Sequence, residues 1–202
     1  MRASIVIFCL LVGLSPLPAG QFNETLSIGD AAPAWVDLPG VDNKKHSLAD
    51  LKDKPLVVVV FICNSCDVST DYEERINAFT KKHAESVAVV AINVNVIPAD
   101  RLPKMVERAR EKKYLFPYLH DETQKIGKAY GAAFTPEFFV LNKDRKIAYM
   151  GGLDDNSSAD LVKHYYLEDA VTALLKGEKP AQAETTSIGC RIRYVSDRRK
   201  KS

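Results

Sequence analysis

Apolar and polar positions follow two different periods along this chain. Leu56-Val57-Val58-Val59-Val60-Phe61 is an unbroken, β-branched, uncharged run, the composition of a strand covered on both faces of a sheet. From Asp67 to Lys82 the apolar positions become Val68, Tyr72, Ile76 and Phe79, the stripe of a helix packed on that sheet. Val87 to Asn93 predicts a second strand. Pro98 to Lys113 predicts a helix with Leu102, Met105, Val106 and Ala109 on one face, and Phe116 to Leu119 a short extended piece. Asp121 and Thr123 both suit the cap of a helix over Gln124 to Tyr130, closed by Gly131. Phe138 to Leu141 and Lys146 to Met150, joined by Asn142-Lys143-Asp144-Arg145, read as an antiparallel hairpin ended by Gly151-Gly152. A last helix is expected over Ala159 to Lys176, packing through Leu161, Tyr165, Leu167, Ala170, Val171, Leu174 and Leu175 and closed by Gly177. Strands and helices alternating at these lengths predict an α/β fold with parallel strands joined by right-handed crossovers.

The ends of the chain read differently. Met1-Arg2-Ala3-Ser4 is short and positive, Ile5 to Leu14 is apolar, and Pro16 and Pro18 precede the small pair Ala19-Gly20. This is the pattern of a secretory signal peptide over residues 1–20. The alternative, an uncleaved signal-anchor, has to span a membrane with an apolar run half the required length of about twenty residues. Cys9 leaves with the signal. An extended segment, Ile28 to Leu38, then leads to turns at Pro39-Gly40 and Asp42-Asn43 and a helix start at Ser47, with Asp50 in its third position.

The net charge of +2 over 202 residues conceals an asymmetry. From Cys190 onward Arg191, Arg193, Arg198, Arg199, Lys200 and Lys201 face only Asp197, leaving +5 there and −3 elsewhere. Such a tail suits weak contact with an anionic membrane surface, or is simply a solvated terminus. The expected division is signal peptide 1–20, one globular domain 21–178 and a basic tail 179–202. No nucleic-acid partner is expected.

The candidate chemistry lies in Cys63-Asn64-Ser65-Cys66, where the first strand stops and its helix begins. Unpaired N–H groups and the positive end of a helix dipole favour a thiolate there. Cys63 leads into the helix and is expected to be the more exposed sulfur, facing the dipole as nucleophile. Cys66, one turn deeper, then attacks the mixed disulfide and resolves it. A structural zinc knuckle needs four ligands, whereas His46, His83, His120 and His164 are scattered and Cys190 stands apart. No metal or other cofactor is expected. About 180 mature residues can bury a core without disulfide staples, so the cysteines are free to react.

Taken together, Ile28-Gly29-Asp30-Ala31-Ala32-Pro33, Phe61 to Cys66, Asp121-Glu122-Thr123-Gln124, Ala129-Tyr130-Gly131, Thr135-Pro136-Glu137-Phe138-Phe139 and Ser187-Ile188-Gly189-Cys190 resemble the thioredoxin superfamily. Within it the chain is similar to the redoxin branch, the extracytoplasmic thiol-disulfide oxidoreductases and peroxiredoxin-like proteins of the alkyl hydroperoxide reductase/thiol-specific antioxidant group. The resemblance implies a thioredoxin-like fold, a central mixed sheet flanked by helices with an N-terminal extension and a C-terminal tail. It implies that Cys63 attacks and Cys66 resolves, that Pro136 is a cis-proline against the sulfur pair, and that Thr135 offers its backbone to the substrate. The implied partners are protein thiols or disulfides and an upstream thiol reductant, outside the cytoplasm.

The chain departs from that pattern in several places. Asp67 stands where relatives carry a proline, and its charge is expected to raise the sulfur pKa values; Phe134 stands where they carry a cysteine. The strand before Cys63 has no acidic residue, and Glu137 is a weak substitute. A peroxidase places a proline and a threonine where this chain has Leu56 and Val60, so peroxide reduction ranks second. A Cu(I) carrier using the same cysteine pair ranks third. Asn64-Ser65 brings no cation to stabilise the reduced pair, which favours a reductive role. Cys190 is either an additional redox residue or an uninvolved thiol in a tail held by Ile188, Ile192 and Tyr194.

Overall fold

The computed structural model describes residues 20–195. The expected signal segment, Cys9 and the cations Arg198, Arg199, Lys200 and Lys201 lie outside these residues. The uncharged run forms strand β3 (Leu56–Phe61) at the centre of a five-stranded sheet, and all six of its side chains are buried. β3 lies parallel to β4 (Val87–Asn93), which lies parallel to β5 (Tyr118–His120). On its other side β3 runs antiparallel to β7 (Glu137–Leu141), and β7 antiparallel to β8 (Ile147–Gly151). The sheet is therefore mixed, in the order β5-β4-β3-β7-β8.

A strand with period two and both faces apolar needs a core on each side. Leu56, Val58 and Val60 face Tyr72, Ile76 and Phe79 of helix α1 (Asp67–Lys82) and Leu167, Ala170 and Val171 of helix α4 (Tyr166–Leu175). Val57, Val59 and Phe61 face Trp35, Tyr130 and Phe139. Phe61, Tyr130 and Phe139 meet edge to face with ring centroids 5.1 to 5.8 Å apart. Such contacts add about 0.5–1.5 kcal/mol per pair beyond area burial. β3 is thereby fixed between two packed layers, and so is the point where it releases the chain.

Two helices start later than their apolar spacing predicts. Pro98–Asp100 is a separate 3-10 turn, Arg101 is extended, and helix α2 is Leu102–Glu111. Pro103 has no N–H to donate and so fits only the first turn of a helix, which places the start beside it. Met105 is buried on the sheet, but Val106 is exposed. In the second case only a 3-10 turn forms at Ala159–Leu161 before α4 begins at Tyr166. The Asp155 carboxylate accepts the N–H groups of Lys163 (2.8 Å) and His164 (3.1 Å) and holds the intervening chain extended. Leu161, Tyr165 and Leu175, expected to pack, are exposed.

Helix α3 (Lys125–Tyr130) follows Gln124 in the left-handed region. Of its two candidate caps, Asp121 accepts Ile126 and Gly127 N–H at 2.8 and 3.2 Å, and Thr123 the Lys125 N–H at 3.3 Å. Gly131 closes it with φ 64°, where an added Cβ would strike the Asn23 side chain. At the N-terminal side, β1 (Leu38–Pro39) and β2 (Lys45–His46) form a two-residue hairpin, and the Asp50 carboxylate accepts the Ser47 N–H.

The segment expected as a tail returns to the body. Ala183 and Thr185 pair with Met150 at the β8 edge. β9 (Cys190–Arg191) then pairs antiparallel with β6 (Phe134–Thr135), Phe134 opposite Arg191 and Thr135 opposite Cys190. The expected holdfasts behave unequally: Ile192 is buried and Tyr194 donates its hydroxyl to the Ala132 carbonyl at 2.7 Å, while Ile188 is only half-buried.

Candidate active site at the head of helix α1

β3 ends and α1 begins within five residues, so the loop Ile62 to Ser65 and the N-cap of α1 are held by the core. Cys63, Cys66 and Cys190 are all free thiols. The N-cap is Cys66: its sulfur accepts the Ser69 N–H at 3.3 Å. Cys63 sits outside the helix, with its sulfur 3.4 Å from Thr135 Oγ1 and 3.8 Å from Ser65 Oγ. Thr135 is next to both sulfurs, because its carbonyl oxygen lies 3.2 Å from the Cys66 sulfur. The Thr135-Pro136 peptide is cis, and Pro136 is buried. The residues singled out in the sequence, Cys63, Cys66, Thr135, Pro136 and Cys190, thus meet at one place.

The electrostatics differ from expectation. Cys63 is only marginally more exposed than Cys66, at 4% against 2%, and it is Cys66 that meets the helix terminus. Each sulfur sets the other's titration, with the proton of the pair held on Cys63. The interaction with Cys63, joined by Cys190 and then by the Ser69 N–H, brings Cys66 down to about 4 despite burial. Cys63, holding the proton beside this charge, is raised, first by the interaction with Cys66 and next by burial. The anticipated influence of Asp67 falls on Cys190; the acid that acts on Cys63 is Asp100.

Asp100 is the residue that sequence reasoning missed. It is fully buried, in the 3-10 turn after β4. Its Oδ1 accepts the N–H groups of Asn64 (2.6 Å) and Ser65 (3.2 Å), its Oδ2 the Ser65 hydroxyl, and Asn93 Nδ2 approaches at 3.2 Å. Tyr118 donates its hydroxyl to Asn64 Oδ1 at 3.1 Å. The N–H groups expected to face a thiolate on Cys63 are therefore taken by a carboxylate. Nothing in Pro98-Ala99-Asp100 signals this, since the partners lie some 35 residues away. Glu137 accepts Ala133 and Phe134 N–H at 2.6 and 2.9 Å, and burial raises its pKa. It fixes the approach to Pro136 and touches no sulfur.

A cleft of about 400 Å³ opens over the pair, lined by Cys63, Cys66, Asn95, Val96, Ile97, Thr135, Cys190, Arg191 and Arg193 among others. Two cations of the basic segment, Arg191 and Arg193, thus border the site while remaining exposed. Leu56 and Val60, at the positions of the peroxidase proline and threonine, are buried in β3 and bring no hydroxyl. Among the described residues, no group of three or more His, Cys, Asp or Glu side chains is arranged to hold a metal.

Known proteins resemble this chain in sequence and in overall fold. The thiol-disulfide oxidoreductase ResA of Geobacillus thermodenitrificans is 26% identical over 151 residues, covering 71% of this chain and 82% of that protein. An uncharacterized conserved protein from Geobacillus kaustophilus superposes with a TM-score of 0.80 at 34% identity, covering 90% of this chain and 98% of its own. The thioredoxin domain of a thiol-disulfide oxidoreductase from Bacteroides vulgatus, at 17% identity, has the same fold with a TM-score of 0.52 over 60% of this chain and 86% of that one. The Redoxin profile matches residues 27–165, and the chain belongs to the redoxin family.

Proposed function

We propose that the protein is a thiol-disulfide oxidoreductase that acts on protein disulfides through Cys63 and Cys66. The observation that carries this reading is the placement of both sulfurs on Thr135, at the mouth of a cleft and at the head of α1. The ionised Cys66 is the base, and the proton it takes is that of Cys63. When it passes from Cys63 to Cys66, the new Cys66 thiol donates to the Thr135 carbonyl. The Cys63 thiolate can then accept from the Thr135 and Ser65 hydroxyls. Cys63 attacks one sulfur of the substrate disulfide and releases the other as a thiolate. Cys66 then gives its proton to the released substrate thiolate and attacks Cys63, freeing the second substrate sulfur as a thiolate and leaving the Cys63–Cys66 disulfide. Thr135 and Pro136 form the substrate-binding edge.

The reaction is placed outside the cytoplasm on the residue pattern of 1–20, as one domain over 21–178, with an upstream thiol reductant restoring the dithiol. Among the described residues no helix is long and apolar enough to cross a membrane. The reductive direction rests on Asn64-Ser65, which brings no cation, and on Asp100, whose charge opposes a thiolate on Cys63. The lowered Cys66 acts in the opposite sense by stabilising the dithiol. A measured potential below about −220 mV supports the reductive role, and one near −120 mV overturns it.

Exchange itself is tested by incubating the mature protein with insulin, with hydrogen peroxide and with Cu(I), comparing wild type, Cys63→Ser and Cys66→Ser. The expected outcome is insulin reduction by wild type alone, with a mixed disulfide accumulating through Cys63 in Cys66→Ser. Peroxide turnover that survives Cys66→Ser would establish a peroxidase, and tight Cu(I) uptake without exchange a carrier.

A further inference from the structure

Cys190 reaches the site from the far end of the sequence, and the chain makes room for it. A Cβ on Gly189 would run into the Thr135 carbonyl oxygen and stand 3.1 Å from the Pro136 nitrogen, both backbone atoms. Only glycine lets β9 lie this close to the cis peptide. Cys190 stands opposite Thr135, whose carbonyl oxygen lies 3.2 Å from the Cys66 sulfur, and Cys66 and Cys190 line the same cleft. In the first turn of α1 the Ser69 N–H donates to Cys66 at 3.3 Å, and the neighbouring Val68 N–H acts to lower Cys190. Of the three thiols Cys190 is the exposed one.

From this geometry we propose that Cys190 is a third redox thiol of the site, which takes the disulfide over from Cys63 by attacking Cys66. The proposal rests on the exchange reaction above, which leaves the Cys63–Cys66 disulfide. The Cys190 thiol gives its proton to solvent and its sulfur bonds to Cys66 Sγ. The Cys63–Cys66 bond breaks, its electron pair leaves on Cys63, and Cys63 takes up a proton. One disulfide is exchanged for another, with no net oxidation. The Cys66–Cys190 bridge carries an exposed sulfur, which an external dithiol can attack directly. That attack releases Cys66 and, when the second reductant sulfur follows, Cys190.

The electrostatics time the step. In the reduced protein Cys190 is raised to about 11, first by its interaction with Cys66 and next by burial. A Cys66 bound in a disulfide carries no charge, so this restraint disappears while the Val68 N–H remains. Cys190 becomes a better nucleophile only after the pair has been oxidised.

Peptide mapping tests the proposal on the full chain. Wild-type protein is oxidised with oxidised glutathione, acid-quenched, alkylated and digested without reduction, beside Cys63→Ser and Cys190→Ser. The expected result is a Cys66–Cys190 linked peptide, with Cys63 alkylated, alongside the Cys63–Cys66 peptide in wild type. The Cys66–Cys190 peptide should be the only bridge in Cys63→Ser and be lost in Cys190→Ser. Cys190 alkylated in every oxidised wild-type molecule would overturn the proposal, whether or not Cys63→Ser forms a bridge. Insulin reduction by wild type without a Cys66–Cys190 peptide sinks this inference alone. A bridge without insulin reduction sinks the exchange reading and leaves the three-thiol chemistry standing.

Discussion

Asp100 decides how the Cys63 to Cys66 loop is held and what charge it can carry. Removing it by Asp100→Ala leaves the Asn64 and Ser65 N–H groups without their buried acceptor, at a cost of about 1–3 kcal/mol for each such group. Urea unfolding should show a loss on the order of 2 kcal/mol or more, and a loss near zero would mean that the loop repairs itself with water. Asp100→Asn keeps one acceptor oxygen and removes the charge that raises Cys63. Alkylation of Cys63 should then begin at lower pH than in wild type. The partner test concerns Cys66, whose largest lowering cause is the interaction with Cys63. Cys63→Ala should move the Cys66 titration up from about 4 towards its ordinary value near 9, read from the ultraviolet absorbance of the thiolate. At this scale the sequence was half legible. Cys63 and Cys66 announce themselves by spacing and Thr135 and Pro136 through the resemblance, whereas Asp100 looks like any acid at a helix start. Which cysteine becomes the N-cap depends on where the helix begins to within a residue, and periodicity does not resolve that.

Elements whose own residues dictate their limits were readable, and elements limited by distant partners were not. β3, β4 and α1 occupy the expected residues because an apolar run or stripe ends in charged or turn residues at both sides. The starts of α2 and α4 were missed for a different reason: Pro103 and the Asp155 turn override a stripe that continues through them. β9 was invisible, since a two-residue strand has no period, and its position depends on Gly189 meeting the Thr135-Pro136 peptide. Gly189→Ala should therefore detach β9 while leaving the sheet intact. The Ile192 amide, which donates to Ala133 O at 2.9 Å, should then exchange its hydrogen faster, about tenfold for each 1.4 kcal/mol of lost pairing. The β3 amides should keep their protection. If both sets changed together, β9 would be part of the core and not a strap laid on it.

For the molecule as a whole, the mixed sheet with helices on both faces follows from one buried strand that needs two cores, and most of that was legible in the alternation of elements. The protonation state of the folded dithiol was not, because it arises from Cys63, Ser69 and Thr135 converging on Cys66. It has two consequences that can be measured without any mutation. Native Cys66 is ionised above about 4, while the unfolded thiol stays protonated up to about 9. Between these limits the unfolded chain binds a proton that the native dithiol lacks, so the stability of the reduced protein should rise with pH across that window. Below about 4 the contribution is gone. Above about 9 the raised Cys63 reverses the trend, since the native state then keeps a proton that the unfolded chain has lost. The oxidised protein has neither thiol and should show no such dependence. The same count governs the potential of the Cys63–Cys66 couple. Reduction by two electrons takes up only one proton where Cys66 stays ionised, so the potential should fall by about 30 mV per pH unit around neutrality, where a couple taking up two protons falls by about 59 mV. A slope near 59 mV from pH 6 to 8 would show both thiols protonated there, and would remove Cys66 as the base that activates Cys63.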